Sequence, residues 1–173
     1  MKKYFIVILI IGALGYLFFL GVRAQMPKGA DMSVLYADQG RTHIQTDAEH
    51  PAYNSNPPSS GWHYATPVNP GFYDKAIADE YIVHNLEHGD VWIAYRSDIG
   101  NDVVEKLRVF ADARTVIVPR EANVTDIALV AWGRVDAFNI ENGQLDETRI
   151  RDFIARYKNR GPEKVPATMN VQR

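Results

Sequence analysis

The sequence predicts an α+β domain built on a small mixed sheet, preceded by a long irregular segment and an N-terminal transmembrane helix. Three observations support this fold class: an uncharged apolar run near the start of the chain, a segment from 36 to 73 rich in proline, asparagine, serine and glycine, and regular helix and strand patterns after residue 90. The regular elements follow the order strand, helix, strand, strand, helix. That order is typical of a small sheet with helices packed on one face.

The N-terminal segment has the charge pattern of a membrane anchor. Lys2 and Lys3 precede an uncharged run from 4 to 22, which as a helix extends roughly 28 Å and matches a hydrocarbon core of roughly 30 Å. The positive-inside rule places the lysines in the cytoplasm and the remainder of the chain outside. Residues 1–25 are therefore predicted to be an anchor, with a cleaved signal segment as the alternative because Ala24 supplies the small residue that a signal peptidase accepts.

The rest of the chain is predicted to form one extracytoplasmic domain of a single-pass cell-membrane protein. Residues 26–35 are expected to be a tether and residues 36–173 the domain, because about 140 residues suffice for one hydrophobic core and not for two. The chain has no cysteine, which excludes disulfides and thiolate metal ligands. The 19 basic and 21 acidic residues form no basic block, so no nucleic-acid partner is expected.

Apolar periodicity and capping residues define the elements after residue 90. Five are predicted: a strand at 91–95 (VWIAY), a helix that Asn101 caps, a strand at 115–118 (TVIV), a strand at 126–138 (DIALVAWGRVDAF), and a helix that Asp146 caps. β-Branched residues and flanking turn residues support the strands. The last helix has the clearest signals, since apolar residues recur at helical spacing from Ile150 to Tyr157 and Gly161 follows them.

The histidines are the strongest chemical signal in the sequence. All five lie between residues 43 and 88. The last two, His84 and His88, form the pattern H-x-x-E-H together with Glu87. If 79–88 is a helix capped by Asp79, the two histidines lie one turn apart and can converge on one ion. A strand over YIVHNL is the alternative and keeps both histidines on one side, but a short helix is favoured.

Three histidines precede this pattern. His63 follows the stretch NPPSSGW, in which prolines fix φ and glycine permits a sharp turn, so the loop can hold an imidazole in place for a ligand. Anchoring of this loop on the core is an equal alternative. His43 can supply another nitrogen, whereas His50, beside Pro51, is expected to be an exposed loop residue. The predicted metal ligands are thus His43, His63, His84 and His88.

The metal predicted for this ligand set is copper or zinc. Neutral imidazoles without cysteine suit Cu(II), Zn(II) or Ni(II), and Met169 is a weak candidate thioether ligand that would favour copper. Glu87 has two candidate roles, either as the base for a bound water in a metal-dependent hydrolase or as a partner that fixes the tautomer of a ligand histidine. Less than half of the chain follows the motif, too little for the large fold of such peptidases, so a non-catalytic site is favoured.

Several stretches resemble a known family. They are DQGRTHI at 38–44, YNSNPPSSGWHY at 53–64, the Gly71-Phe72-Tyr73 turn, VHNLEHGDVWIAYR at 83–96, AWGR at 131–134 and GPE at 161–163. On these residues the sequence is similar to the uncharacterised, mostly bacterial family called domain of unknown function 3105. The family's signature is matched at His43, Tyr53, Pro57, Pro58, Gly61, His63, His84, Glu87, His88 and Gly89. The resemblance implies a secreted or membrane-anchored protein and implies no particular activity. His50 is not among the positions that match the family.

Together these observations predict a membrane-anchored extracytoplasmic protein with a non-catalytic, histidine-rich copper or zinc site. A metal-dependent hydrolase that uses Glu87 is one alternative. A structural or interaction domain that binds no metal is the other.

Overall fold

The computed structural model describes residues 2–24 and 26–166, and within the first helix it describes the side chains of residue 4 and residues 10–23. Over these residues the chain forms an α+β fold with a mixed sheet, as the sequence predicts. The helices are α1 (Lys2–Ala24), α2 (Asp79–Glu87), α3 (Asn101–Arg108) and α4 (Glu147–Tyr157). The strands are β1 (Val34–Leu35), β2 (His43–Ile44), β3 (His63–Tyr64), β4 (Gly71–Phe72), β5 (Val91–Tyr95), β6 (Thr115–Pro119), β7 (Ile127–Ala131) and β8 (Arg134–Phe138).

The predicted membrane anchor requires a correction. A bilayer crossing needs about 20 consecutive, mainly apolar residues in one helix. Among the residues that the structure describes, no helix combines that length with sufficient apolar character. This finding contradicts the predicted transmembrane helix and the single-pass location in the cell membrane, and it leaves the membrane without support as a partner.

The main sheet has six strands in the order β1-β8-β7-β5-β6-β4. β5 and β6 are parallel neighbours, and α3 provides the crossover that a parallel pair requires. β7 is antiparallel to both β5 and β8. The single strand predicted at 126–138 is therefore two strands, because Trp132 and Gly133 form a tight turn in which Gly133 has a φ of 68°.

Helices cover both faces of this sheet. Side chains alternate along the central strands, so that Ile93 faces α3 and α4 while Trp92 faces the opposite side. On that opposite side, Ile82 and Leu86 of α2 complete a second apolar cluster. The prediction of helices on one face is therefore wrong, since α2 carries buried apolar residues as well as histidines.

The predicted helices are present with small shifts at their ends. Asp146 accepts a hydrogen bond at 2.9 Å from an amide in the first turn of α4 and caps that helix as predicted. Asn101 and Asp79 are instead the first helical residues of α3 and α2. The helical alternative for α2 is confirmed, and Gly89, with a φ of 87°, follows its last turn.

Hydrogen bonds from side chains fix the irregular segment before α2. Within it, β2 and β3 form a separate two-stranded parallel sheet. The side-chain amide of Asn54 donates to the carbonyl group of Ala37 at 2.8 Å, and that of Gln39 donates to the carbonyl group of Ala52 at 2.9 Å. The segment has only two-residue strands, so these side-chain hydrogen bonds give it the fixed conformation in which β2 and β3 lie beside α2.

Candidate metal centre

β2 and β3 place two of the predicted ligands side by side. His43 is opposite His63 in the parallel register, and the amide of His63 donates to the carbonyl group of Thr42 at 3.1 Å. Their ring centroids are accordingly 4.9 Å apart. A pairing of only two residues per strand is thus enough to bring imidazoles from distant parts of the chain together.

The turn before His63 depends on Gly61. This residue has a φ of 122°, in the region that favours glycine, and a Cβ atom there would lie 3.0 Å from the ring of Tyr53. The hydroxyl group of Tyr53 donates to the carbonyl group of Trp62 at 2.6 Å. The loop therefore holds His63 in one position, where its side chain is fully buried.

α2 carries the remaining residues of the motif. His84 and Glu87 are both buried, and the side chain of Glu87 is 5 % exposed. Between them, the side-chain amide of Asn85 bonds both backbone polar groups of Val68, accepting at 3.0 Å and donating at 2.8 Å. This two-bond bridge attaches the irregular segment to the helix and fixes the position of α2 relative to β3.

Four donor atoms converge between these elements. The ligand atoms of His43, His63, His84 and Glu87 all lie within 4.8 Å of one another. Oε2 of Glu87 lies 3.1 Å from Nε2 of His63 and 3.4 Å from Nε2 of His43. Because histidine and carboxylate ligands bind a zinc ion at about 2.0–2.2 Å, this group can hold one metal ion after small side-chain movements.

Backbone carbonyl groups fix the tautomers of the two buried histidines. Nδ1 of His63 lies 2.7 Å from the carbonyl oxygen of Gly61, and Nδ1 of His84 lies 2.7 Å from that of Tyr64. A carbonyl group only accepts, so both Nδ1 atoms donate and, in the neutral rings, the lone pairs are on Nε2. A second hydrogen bond of this kind is typical of metal-binding histidines.

Acceptor atoms consequently face each other inside the site. The lone pair on Nε2 of His63 and the carboxylate oxygen of Glu87 repel at 3.1 Å unless a proton or a metal ion lies between them. Arg41 approaches the other oxygen of Glu87, with Nε at 3.8 Å, but its side chain is 52 % exposed. Water and salt weaken such an exposed pair, so Arg41 neutralises the buried carboxylate only in part.

His84 is neutral at physiological pH. Burial is the largest cause that lowers the pKa of His84 from 6.5 to about 4, and the neighbouring histidines lower it as well. The hydrogen bond to the carbonyl group of Tyr64 acts in the opposite direction and is the weaker effect. His84 is therefore in the form that coordinates metal without having to release a proton.

The structure brings together three of the four predicted ligands and adds Glu87. His88 lies outside the group, with Nε2 at 3.1 Å from Nε2 of His84 and 3.6 Å from Oε2 of Glu163. Glu87, expected to act as a base or as a partner of a ligand, lies among the donor atoms instead. The roles of all these residues as metal ligands stay predictions.

The two remaining candidates lie elsewhere. His50 is separate from the group, in agreement with the sequence, but it is half-buried rather than exposed because Nε2 contacts Oε1 of Glu80 at 3.2 Å. Met169 lies outside the described residues. Sequence reasoning missed Arg41 and Glu163, and the signal that could have revealed them is their position in the DQGRTHI and GPE stretches.

A C-terminal strap, residues 159–165, lies across the end of α2. The amide of Glu163 donates to the carbonyl group of Glu87 at 3.0 Å. A Cβ atom at Gly161 would clash with the carbonyl oxygen of Glu87 and the amide nitrogen of Gly89. The strap can therefore approach α2 only because residue 161 is glycine, and it anchors the backbone of the residue whose carboxylate lies in the site.

The fold and the site together define an α+β protein whose three histidines and one glutamate are compatible with metal binding. A family model described as "Protein of unknown function (DUF3105)" matches residues 43–170. The chain belongs to this family, as the resemblance predicts. No curated protein and no solved structure matches the chain.

Proposed function

We propose that this protein binds one divalent transition metal ion, zinc or copper(II), without catalysing a reaction. The ligands are His43, His63, His84 and Glu87. The observation that carries the proposal is the buried carboxylate of Glu87 beside Nε2 of His63, a nitrogen that presents a lone pair. Burial of an uncompensated charge is strongly unfavourable, and a divalent ion between the four donors provides the missing positive charge.

The donor set supports a divalent ion rather than copper(I). Imidazole nitrogens suit zinc and copper, whereas soft thiolate and thioether ligands select copper(I). The fourth donor here is the carboxylate oxygen of Glu87, which is a hard ligand, and the group contains no soft sulfur ligand of the kind that copper(I) prefers. Three imidazoles and one carboxylate are ligands that zinc accepts in tetrahedral geometry.

The position of Glu87 supports a non-catalytic role. In an H-x-x-E-H hydrolase the histidines of the motif bind the metal and the glutamate acts on a bound water. Here Oε2 of Glu87 lies within 3.4 Å of two histidine nitrogens and so belongs to the donor set itself. Four protein ligands complete a tetrahedral site, which is typical of structural rather than catalytic zinc.

Metal titration of the purified full chain tests the proposal. After dialysis against a chelator, the chain is titrated with Zn(II) and, separately, with Cu(II) in a calorimeter, and bound metal is counted by mass spectrometry. We expect one ion per chain. An ion that binds only the folded state should also stabilise it by about 3 kcal/mol at a free concentration 100-fold above Kd, which a thermal melt measures.

Matched substitutions identify the ligands. We expect His63→Ala and His84→Ala each to weaken binding by roughly 100-fold or more, because each removes a ligand from a four-ligand site. His50→Ala removes a histidine outside the group and should bind as the wild type does. The proposal fails if the wild type binds neither ion, or if both ligand variants remain folded by circular dichroism and bind with unchanged affinity.

Glu87→Gln separates a metal-binding protein from a hydrolase. Loss of the carboxylate should weaken metal binding if Glu87 is a ligand. A variant that keeps full affinity but loses hydrolysis of ester or peptide substrates by the metal-loaded chain would instead support a catalytic base.

A further inference from the structure

We infer that His88 and Glu163 form a second metal position, which delivers the ion to the four-ligand site through His84. This inference rests on the proposed function, since it requires that site to bind metal. We call the group of His43, His63, His84 and Glu87 the buried site. We call the position formed by His88 and Glu163, together with His84, the loading site.

The donor atoms of the loading site have the spacing of ligands to one ion. Nε2 of His88 lies 3.1 Å from Nε2 of His84 and 3.6 Å from Oε2 of Glu163. Two ligands that each lie about 2.1 Å from a tetrahedral ion are about 3.4 Å apart. An ion therefore fits between Nε2 of His88 and each of the other two donor atoms, and a movement of the exposed side chain of Glu163 would bring all three to one ion.

His88 has no tautomer that satisfies its surroundings. Because His84 presents a lone pair, His88 can bond it only with the proton on Nε2, and Nδ1 is then a buried acceptor that has no hydrogen-bond partner among the described residues. With the proton on Nδ1, two lone pairs face each other at 3.1 Å. A cation that contacts both Nε2 atoms removes this repulsion and leaves only the Nδ1–H group of His88 without a partner among the described residues, so the pair is suited to share an ion.

The loading site offers one exposed ligand to solvent. The side chain of Glu163 is 48 % exposed and that of His88 is 11 % exposed, whereas the buried site combines fully buried His63 with His43, whose side chain is 47 % exposed. The strap fixes Glu163 near the end of α2 through its amide bond to the carbonyl group of Glu87. An ion from solvent can thus contact Glu163 and His88 without displacing the core.

His84 is the ligand that the two positions share. Its Nδ1 is engaged by the carbonyl group of Tyr64 at 2.7 Å, so it offers one lone pair and binds one ion at a time. Transfer is a ligand exchange without a change in oxidation state. The ion keeps His84, releases His88 and Glu163, and takes up the carboxylate of Glu87 with the other two histidines.

Stopped-flow kinetics of the full chain tests the inference, with Zn(II) alone as the probe and a chromophoric chelator as the reporter and competitor. We expect His88→Ala and Glu163→Gln to slow both uptake and release by about ten-fold, while Kd changes by less than about three-fold. A residue that contacts the ion only in transit lowers the barrier to entry and to exit alike and leaves the free and bound states unchanged. His50→Ala and Glu80→Gln are the matched controls. They alter another histidine–glutamate pair, 3.2 Å apart, and should leave both rates unchanged.

The alternative outcomes are distinct. Unchanged rates in both variants overturn the inference and leave the proposed function intact, because the ion then passes His43, whose side chain is 47 % exposed. A large loss of affinity in His88→Ala and Glu163→Gln also overturns it, because both residues are then ligands at equilibrium. Failure of the wild type to bind metal would refute the proposed function itself. If His88→Ala does not fold, the exposed Glu163→Gln still decides the question.

Discussion

At the scale of single residues, His84 links the chemistry of the site to the stability of the fold. Its ring is buried, bonded through Nδ1 to a backbone carbonyl group, and close to other imidazoles. The same burial that keeps it neutral also penalises its protonation. Acid should therefore weaken metal binding and destabilise the folded chain through one group.

Without metal, the free energy of unfolding should depend on pH through His84. The folded-state pKa of His84, about 4, lies below its ordinary value of 6.5, so between these values the unfolded chain binds more protons. The stability contributed by neutral His84 is complete above pH 6.5 and is lost as the pH falls towards 4, by about 3 kcal/mol in total. Urea unfolding in the presence of a chelator at several pH values measures this loss.

A comparison of two variants assigns the effect. His84→Gln removes the titrating group and should flatten the pH dependence relative to the wild type, whereas His50→Gln should retain it. An identical slope in the wild type and His84→Gln would contradict the assignment to His84.

At the scale of elements, α2 serves two purposes on two faces. Ile82 and Leu86 pack on the sheet, while His84 and Glu87 face β2 and β3. Asn85 joins the helix to the irregular segment through Val68 and also donates to Asp90 at 2.9 Å. The position of His84 and Glu87 therefore depends on this asparagine as well as on apolar packing.

Loss of the Asn85 bridge should loosen the site. Asn85→Ala leaves the buried polar groups of its partners unsatisfied, and we expect a loss of about 2–4 kcal/mol in the free energy of unfolding, together with weaker metal binding. Asn123→Ala is the control, because Asn123 is also buried but its side chain makes one hydrogen bond, with Oδ1 accepting from Arg120 at 3.1 Å, while Nδ2 has no partner among the described residues. Urea unfolding should show a clearly smaller loss there, and equal losses would count against the bridge.

The elements after residue 90 could be predicted because their signals are local. Apolar periodicity marks the strands and helices, and Asp146 caps α4 as expected. The turn at Trp132 was missed because the pair Trp-Gly is not one of the Asn-Gly, Asp-Gly or Gly-Gly pairs that mark a two-residue hairpin loop. The role of Glu87 could not be predicted either, since its distances to His43 and His63 depend on residues 44 and 24 positions earlier in the chain. The pairing of β2 with β3 leaves no periodic signal at two residues per strand.

At the scale of the whole molecule, the site depends on both ends of the domain. The irregular segment supplies His43 and His63, and the C-terminal strap holds the backbone of Glu87. The strap comes nearest to α2 at Gly161, where the two backbones are too close for any side chain. A change at this remote position should therefore affect both stability and metal affinity.

Gly161→Ala should separate the strap from α2. We expect a loss of about 3 kcal/mol from the clash with the backbone of α2, and weaker metal binding because Glu87 loses its backbone partner. Gly143→Ala is the control: Gly143 has a φ of 68° but open space around it, so the variant should lose about 1 kcal/mol through backbone strain and keep its affinity. Thermal melts and zinc titration of both variants measure these effects, and equal changes in both would contradict a specific role for the strap.

The parallel pairing of His43 with His63 has a consequence for a chain without cysteine. A metal ion held by His43, His63 and His84 would close two successive loops, each of roughly 20 residues. In the chain-entropy description, a covalent cross-link over a loop of this size stabilises a fold by about 3 kcal/mol. The ion would thus take the place of disulfide bonds, as a reversible cross-link that metal supply adds or removes.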